Sequence, residues 1–230
     1  MTGLVRKATL FSACGLLLAG AAMAAVPSPG NSSVPCGIKV VGQNGAGLTS
    51  PNHTITIQVK DLANNPVANS SVVIDLSGCN GAADPGPASV QNGTNGELVD
   101  CVTKTIRAIT DVTGTVSIDA QAMASVAAVG ATPNGACGQI FADGVLLQTV
   151  QVAAFDLNGG LGALGLTAAD LSAWLNYFFA CAVPPTYCAI ADYNFVDGLC
   201  ATQELTAADL SIWLTEFFSN GSLGNDPICP

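Results

Sequence analysis

The feature that most constrains this chain is a repeat. LTAADLSAWLNYFF, from Leu166 to Phe179, returns thirty-nine residues later as LTAADLSIWLTEFF, from Leu205 to Phe218, with eleven of fourteen positions identical. Each copy reads as one amphipathic helix. Leu171, Trp174, Leu175 and Phe178 fall at helical spacing on one face, as do Leu210, Trp213, Leu214 and Phe217. Thr167 and Thr206 are well placed as N-caps. Asp170 and Asp209, three residues on, complete a capping box with Asp in place of Glu. A lone helix of this length is marginal in water, so two copies with the same apolar stripe are expected to bury it against each other, with both tryptophans inside.

The chain opens like an exported protein. Arg6 and Lys7 form a basic region, Leu10 to Ala19 an apolar run, and Ala22-Met23-Ala24 a small-x-small cleavage site. The run falls short of the ~20 residues a bilayer requires, so residues 1–25 read as a signal peptide, and no later segment reads as a membrane span. Past it, eight cysteines remain: Cys36, Cys79, Cys101, Cys137, Cys181, Cys188, Cys200 and Cys229. An even count behind an export signal points to disulfides and a secreted or cell-surface location. Zinc is a poor alternative, because there is no C-x-x-C pair and His53 is the only histidine. The spacing suggests Cys181–Cys188, Cys200–Cys229, Cys79–Cys101 and Cys36–Cys137, although sequence cannot establish connectivity. Four basic residues then face sixteen acidic ones, a balance that argues against nucleic acid and anionic lipid as partners.

Composition divides the rest. Residues 26–35 read as a flexible leader. From 36 to 154 the pattern is alternation, as in HTITIQVKD (His53 to Asp61), SVVIDLSGC (Ser71 to Cys79) and ITDVTGTVSIDA, whose turn lies at Asp111 to Gly114. CGQIFADGVLLQTVQVAAF is a hairpin turning at Asp143-Gly144. The Gly-, Pro- and Asn-rich stretch between Cys79 and Cys101 reads as a long surface loop tied at its base by a disulfide. Short strands with turns between them predict a two-sheet sandwich. Nothing here suggests catalysis: His53 stands at a strand start, and Glu97, Glu204 and Glu216 are the only glutamates. There is no phosphate-binding or dinucleotide motif. The chain is expected to be no enzyme.

Two stretches resemble known families. Asp61, Asn65, Pro66, Val67 and Val72, followed by Thr110, Asp111, Gly114 and Val116, resemble the paired turn motifs of bacterial immunoglobulin-like domains of the invasin type. That resemblance implies a β-sandwich serving as a spacer or adhesive module. In residues 155–230, each helix follows an Asp-x-Asn, and the pattern resembles a dockerin, a duplicated EF-hand-like loop and helix that binds Ca²⁺ and cohesin domains. By that motif Asp156, Asn158 and Asp170 would be calcium ligands of the first loop. Asp192, Asn194 and Asp209, with Asp197 nearby, would serve the second. The loops depart from the family pattern. First and last ligands lie fourteen and seventeen residues apart instead of eleven, and Gly160 and Val196 replace a ligand. Fewer ligands and looser loops weaken Ca²⁺ binding. The alternative is that Asp156 and Asp192 form turns while Asp170 and Asp209 cap helices. The expected function is that of a secreted or cell-surface interaction scaffold whose dockerin-like pair meets a protein partner, a cohesin or a surface component. A carbohydrate-binding or enzyme-accessory subunit is the alternative, disfavoured because Phe141 is the only aromatic between Cys36 and Ala154.

Overall fold

Alternating and continuous apolar runs sort the strands into two sheets in the computed structural model, which describes residues 25–40, 54–79, 97–120, 136–155, 157, 166–180, 191–195 and 205–220. The strands are β1 (Gly37–Val40), β2 (Thr54–Gln58), β3 (Ser71–Asp75), β4 (Leu98–Asp100), β5 (Thr105–Ile109), β6 (Thr115–Asp119), β7 (Gly138–Ala142) and β8 (Val145–Ala154). Helices α1 (Ala168–Ala180) and α2 (Ala207–Asn220) follow. The larger sheet has the order β1-β8-β7-β3-β5-β4, antiparallel except for β1, which runs parallel to β8. β2 and β6 pair antiparallel as a second sheet.

Alternation puts Ile55 and Ile57 of β2 and Val116 and Ile118 of β6 inward, into one apolar cluster with Val72, Ile74, Ile106 and Ile140 of the larger sheet. β8 differs: from Val150 to Ala154 every residue is buried, the signature of a strand covered on both faces. Trp174, Trp213, Tyr193 and Leu166 belong to that same cluster. The helical part and the sheets therefore share a core.

The turns follow local chemistry. Asp143 and Gly144 sit at φ 48° and 81°, the left-handed pair that a two-residue hairpin needs. Gly114, at φ 72°, lies so close to β2's continuation that an added Cβ would stand 2.6 Å from Val59 O. Asp111 Oδ1 accepts hydrogen bonds from the Thr113 hydroxyl and from the amides of Thr113 and Thr115, and Asp61 Oδ1 from that of Asn65. In the turn after β4, Asp100 Oδ1 accepts from the amides of Val102 and Thr103. These bonds favour the charged carboxylates and hold all three below the ordinary aspartate value. Groups with depressed pKa bind fewer protons folded than unfolded. Their stabilisation is present above pH ~4 and is lost as pH falls through the depressed values. Melting temperature should thus fall on acidification below pH ~4, and Asp111→Asn should flatten that fall. An unchanged acid limb in the variant would refute the assignment.

Three expectations change. Residues 26–35, expected to be a flexible leader, are pinned beside the end of β2. Ser33 and Gln58 exchange both backbone hydrogen bonds, Ser28 N donates to Lys60 O, and Asn31 Nδ2 donates to Asp61 O and Leu62 O. A strand edge offers unpaired amides and carbonyls, and this segment satisfies them. The expected pairs Cys79–Cys101 and Cys36–Cys137 do not form. Cys79 bonds to Cys137, at a Cα–Cα distance of 5.0 Å, and Cys36 and Cys101 are disulfide-bonded elsewhere. The reason is sheet order: β3 and β7 are neighbours, so a 3-10 turn after β3 (Ser77–Cys79) brings Cys79 beside Cys137 at the start of β7. The Cys79–Cys101 stretch is also not all loop, since it ends in β4. Glu97, expected in that loop, is buried and accepts the Asp119 amide at 2.7 Å. Most of the stretch, and Cys181, Cys188, Cys200 and Cys229, lie outside the described residues, as does the signal segment through residue 24.

Candidate functional site

The repeated caps form as their local sequence dictates. Thr167 Oγ1 accepts the amide of Ala169, and Asp170 Oδ2 returns to accept the Thr167 amide at 2.8 Å and its hydroxyl at 2.9 Å. Thr206, Ala208 and Asp209 repeat this geometry, with the same 2.8 and 2.9 Å bonds at Asp209 Oδ2. The other oxygen of each aspartate reaches back to the loop. Asp170 Oδ1 accepts the Leu157 amide at 2.9 Å. Asp209 Oδ1 accepts the amides of Tyr193 at 2.8 Å and Asn194 at 2.9 Å. Both carboxylates are fully buried. Each fastens the middle of its Asp-x-Asn to the N-terminus of its own helix, where amide hydrogens and the helix dipole favour negative charge.

The two repeats also hold each other. Trp174 of α1 donates its indole N–H to Ala191 O at 3.3 Å, the residue before the second Asp-x-Asn. Trp213 of α2 donates to Phe155 O at 3.0 Å, the residue before the first. Ala191 and Phe155 are equivalent positions, so the exchange is reciprocal. Both indoles are buried, as expected, but among the described residues no ring contact joins the helices. The expected face is largely kept, since Leu171, Phe178, Leu210, Leu214 and Phe217 pack against the core beside the tryptophans. Leu175 is 37% exposed, while Asp209, Trp213 and Glu216 mark the buried edge of α2. Tryptophan needs a partner for its N–H when buried, and the opposite loop's carbonyl supplies one that a Leu-on-Leu face would not. Phe179 and Phe218, equivalent in the repeats, are 74% and 79% exposed.

Of the residues expected to ligate calcium, Asp170, Asp192, Asn194 and Asp209 are described; Asp156, Asn158 and Asp197 lie outside the described residues. Asn194 and Asp209 do come together, whereas Asp192 bonds to β8 and to the Phe195 amide. Asn194 turns its Nδ2 to Thr206 Oγ1 and Asp209 Oδ2, and Asp192 Oδ2 accepts a bond from Gln151 Nε2 of β8 at 3.3 Å. Calcium takes six to eight oxygens. Around Asp209 the neighbours instead present hydrogens: three amides, a hydroxyl and the Asn194 side-chain N–H. As placed, these side chains do not fit calcium at Asp209, because the cation would have to displace those donors. Among the described residues no group of three or more His, Cys, Asp or Glu side chains converges.

Sequence reasoning missed the residues that join this module to the sheet. Tyr193 stacks on Phe155, rings 4.5 Å apart and 7° from parallel, and its hydroxyl donates to Ala154 O at 3.0 Å. Lys39 of β1 lies beside α2: burial pushes its ammonium below the ordinary value, against the opposing pull of Glu216 and Asp209. The available signal was the pair of aromatics in Asp-Tyr-Asn-Phe, residues 192–195, which the first repeat lacks. No protein-family model, curated protein or solved structure matches the chain.

Proposed function

We propose that this is a non-enzymatic, exported or cell-surface scaffold, in which an immunoglobulin-like β-sandwich carries a dockerin-like pair of loop–helix repeats for protein–protein assembly. The observation that carries this reading is the reciprocal indole bonding, Trp174 to Ala191 O and Trp213 to Phe155 O. It makes the duplicated unit one interlocked pair, as a duplicated docking module requires. Strand order supports the sandwich: β2 pairs with β6 in one sheet, β7 lies between β3 and β8 in the other, and both face one core. Export is supported by disulfide bonding at Cys36, Cys79, Cys101 and Cys137, since such bonds persist outside the reducing cytosol. Among the described residues no helix is long and apolar enough to cross a membrane.

Binding of the full chain to purified cohesin domains, read by interferometry with calcium and with chelator, tests the assembly role. Micromolar or tighter binding by one of them supports the dockerin-like reading; no binding by any overturns it. Calcium dependence is the part of the resemblance that the donor-filled surroundings of Asp209 argue against. Calorimetric titration of Ca²⁺ is expected to give no heat, and a stoichiometric signal would restore calcium to the proposal.

A further inference from the structure

Residues 192–195 alternate in purpose as well as in type. Asn194 faces α2, bonding Thr206 and Asp209. Tyr193 and Phe195 face the sheet. Tyr193 is fully buried against Phe155 at the end of β8. Phe195 holds φ 44°, in the left-handed region that non-glycine residues seldom occupy, and Asp192 Oδ1 accepts its amide at 3.3 Å. Its ring lies directly over Gly37, the first residue of β1, where an added Cβ would stand 2.6 Å from Phe195 Cδ1. An uncommon backbone conformation persists where surrounding contacts over-determine it. Here those contacts are a glycine that leaves room for the ring and an aspartate that turns the backbone. The first repeat has Leu157 and Gly159 at the matching positions, so only the second copy is built for this contact.

We infer that Tyr193 and Phe195 form a key that locks the second repeat onto the β1–β8 edge, so that helix pair and sheet open as one cooperative unit. The two repeats have then diverged: the second is an internal anchor, and the pair's orientation on the sheet is fixed. Any load or ligand acting on the helices is passed to β1 and β8. This inference stands whether or not the chain binds cohesins.

Trp174 and Trp213 are the only tryptophans, so their fluorescence reports the helices where they meet the shared core, while far-UV circular dichroism also follows the strands away from it. In the full chain the two thermal transitions should coincide. Phe195→Ala removes the ring, and Gly37→Ala wedges it out while keeping it. Each should lower the fluorescence midpoint by about 5–10 °C and split it from the sheet transition. Separate transitions in the unaltered chain overturn the lock. So does a variant pair whose midpoints stay put, or fall together without splitting, which assigns the ring plain packing. Native-state hydrogen exchange of the unaltered chain keeps the question open to test if a variant does not fold. Amides of β1 and α2 should exchange through openings of equal free energy, and much easier opening of α2 would also overturn the lock.

Discussion

Trp213→Ala is expected to lower stability by about 3–5 kcal/mol, the usual cost of emptying a buried large aromatic site. A further ~1 kcal/mol should follow because Phe155 O loses its indole donor. The indole is 0% exposed and belongs to the cluster formed by the sheets, so the cavity opens in the shared core and not at a helix surface. A domain's total stability is about 5–15 kcal/mol, and the variant should be close to unfolding. Trp213→Phe keeps most of the volume but drops the N–H, and should cost about 1–2 kcal/mol. Urea denaturation followed by circular dichroism measures both. An alanine variant within 1 kcal/mol of the parent would show that Trp213 is not a core residue.

Asp209→Ala should rank next, at about 3–4 kcal/mol. Its carboxylate accepts the amides of Tyr193, Asn194 and Thr206, and a buried donor left without an acceptor costs about 1–3 kcal/mol. Asn194 and Thr206 are only half-buried, so water recovers part of the loss. Asp209→Asn retains one carbonyl oxygen and should lose about half as much. Asp170→Ala, serving two amides and a hydroxyl, should fall below Asp209→Ala. Chelator separates a hydrogen-bond hub from a metal ligand. If Asp209 acts through calcium, chelating the parent reproduces the loss seen in Asp209→Ala. If it acts through amides, as its partners indicate, the chelated parent melts unchanged.

Each of these effects rests on a contact that is either local or distant in sequence, and that difference governs what could be read in advance. The Thr–Ala–Ala–Asp caps were legible because Thr and Asp meet within three residues, whereas the bonds from the same aspartates back to Leu157 and Tyr193 were not. The Asp143-Gly144 hairpin was legible because two residues supply its whole turn. The alternation of β2 and β6 identified their buried residues, since side chains on a strand change face at every step. The buried face of each helix was only half legible. The apolar stripe gave its approximate direction, but Leu175 sits at its edge, 37% exposed, while Asp209 and Glu216 are inside.

By itself the sequence determined β2, β3, β6, the β7–β8 hairpin, the two capped helices and their duplication, because those depend on neighbours along the chain; β4 lay in a stretch that reads as loop. Tertiary structure alone decided which cysteines meet, where residues 26–35 lie, and what the tryptophans touch. Cys79 meets Cys137 across a separation of 58 residues, because β3 and β7 are adjacent in the sheet and no spacing rule encodes that order. Trp213 reaches Phe155, and Phe195 covers Gly37, for the same reason. A periodic pattern tells a residue to be buried, but only the assembled sheet tells it against what.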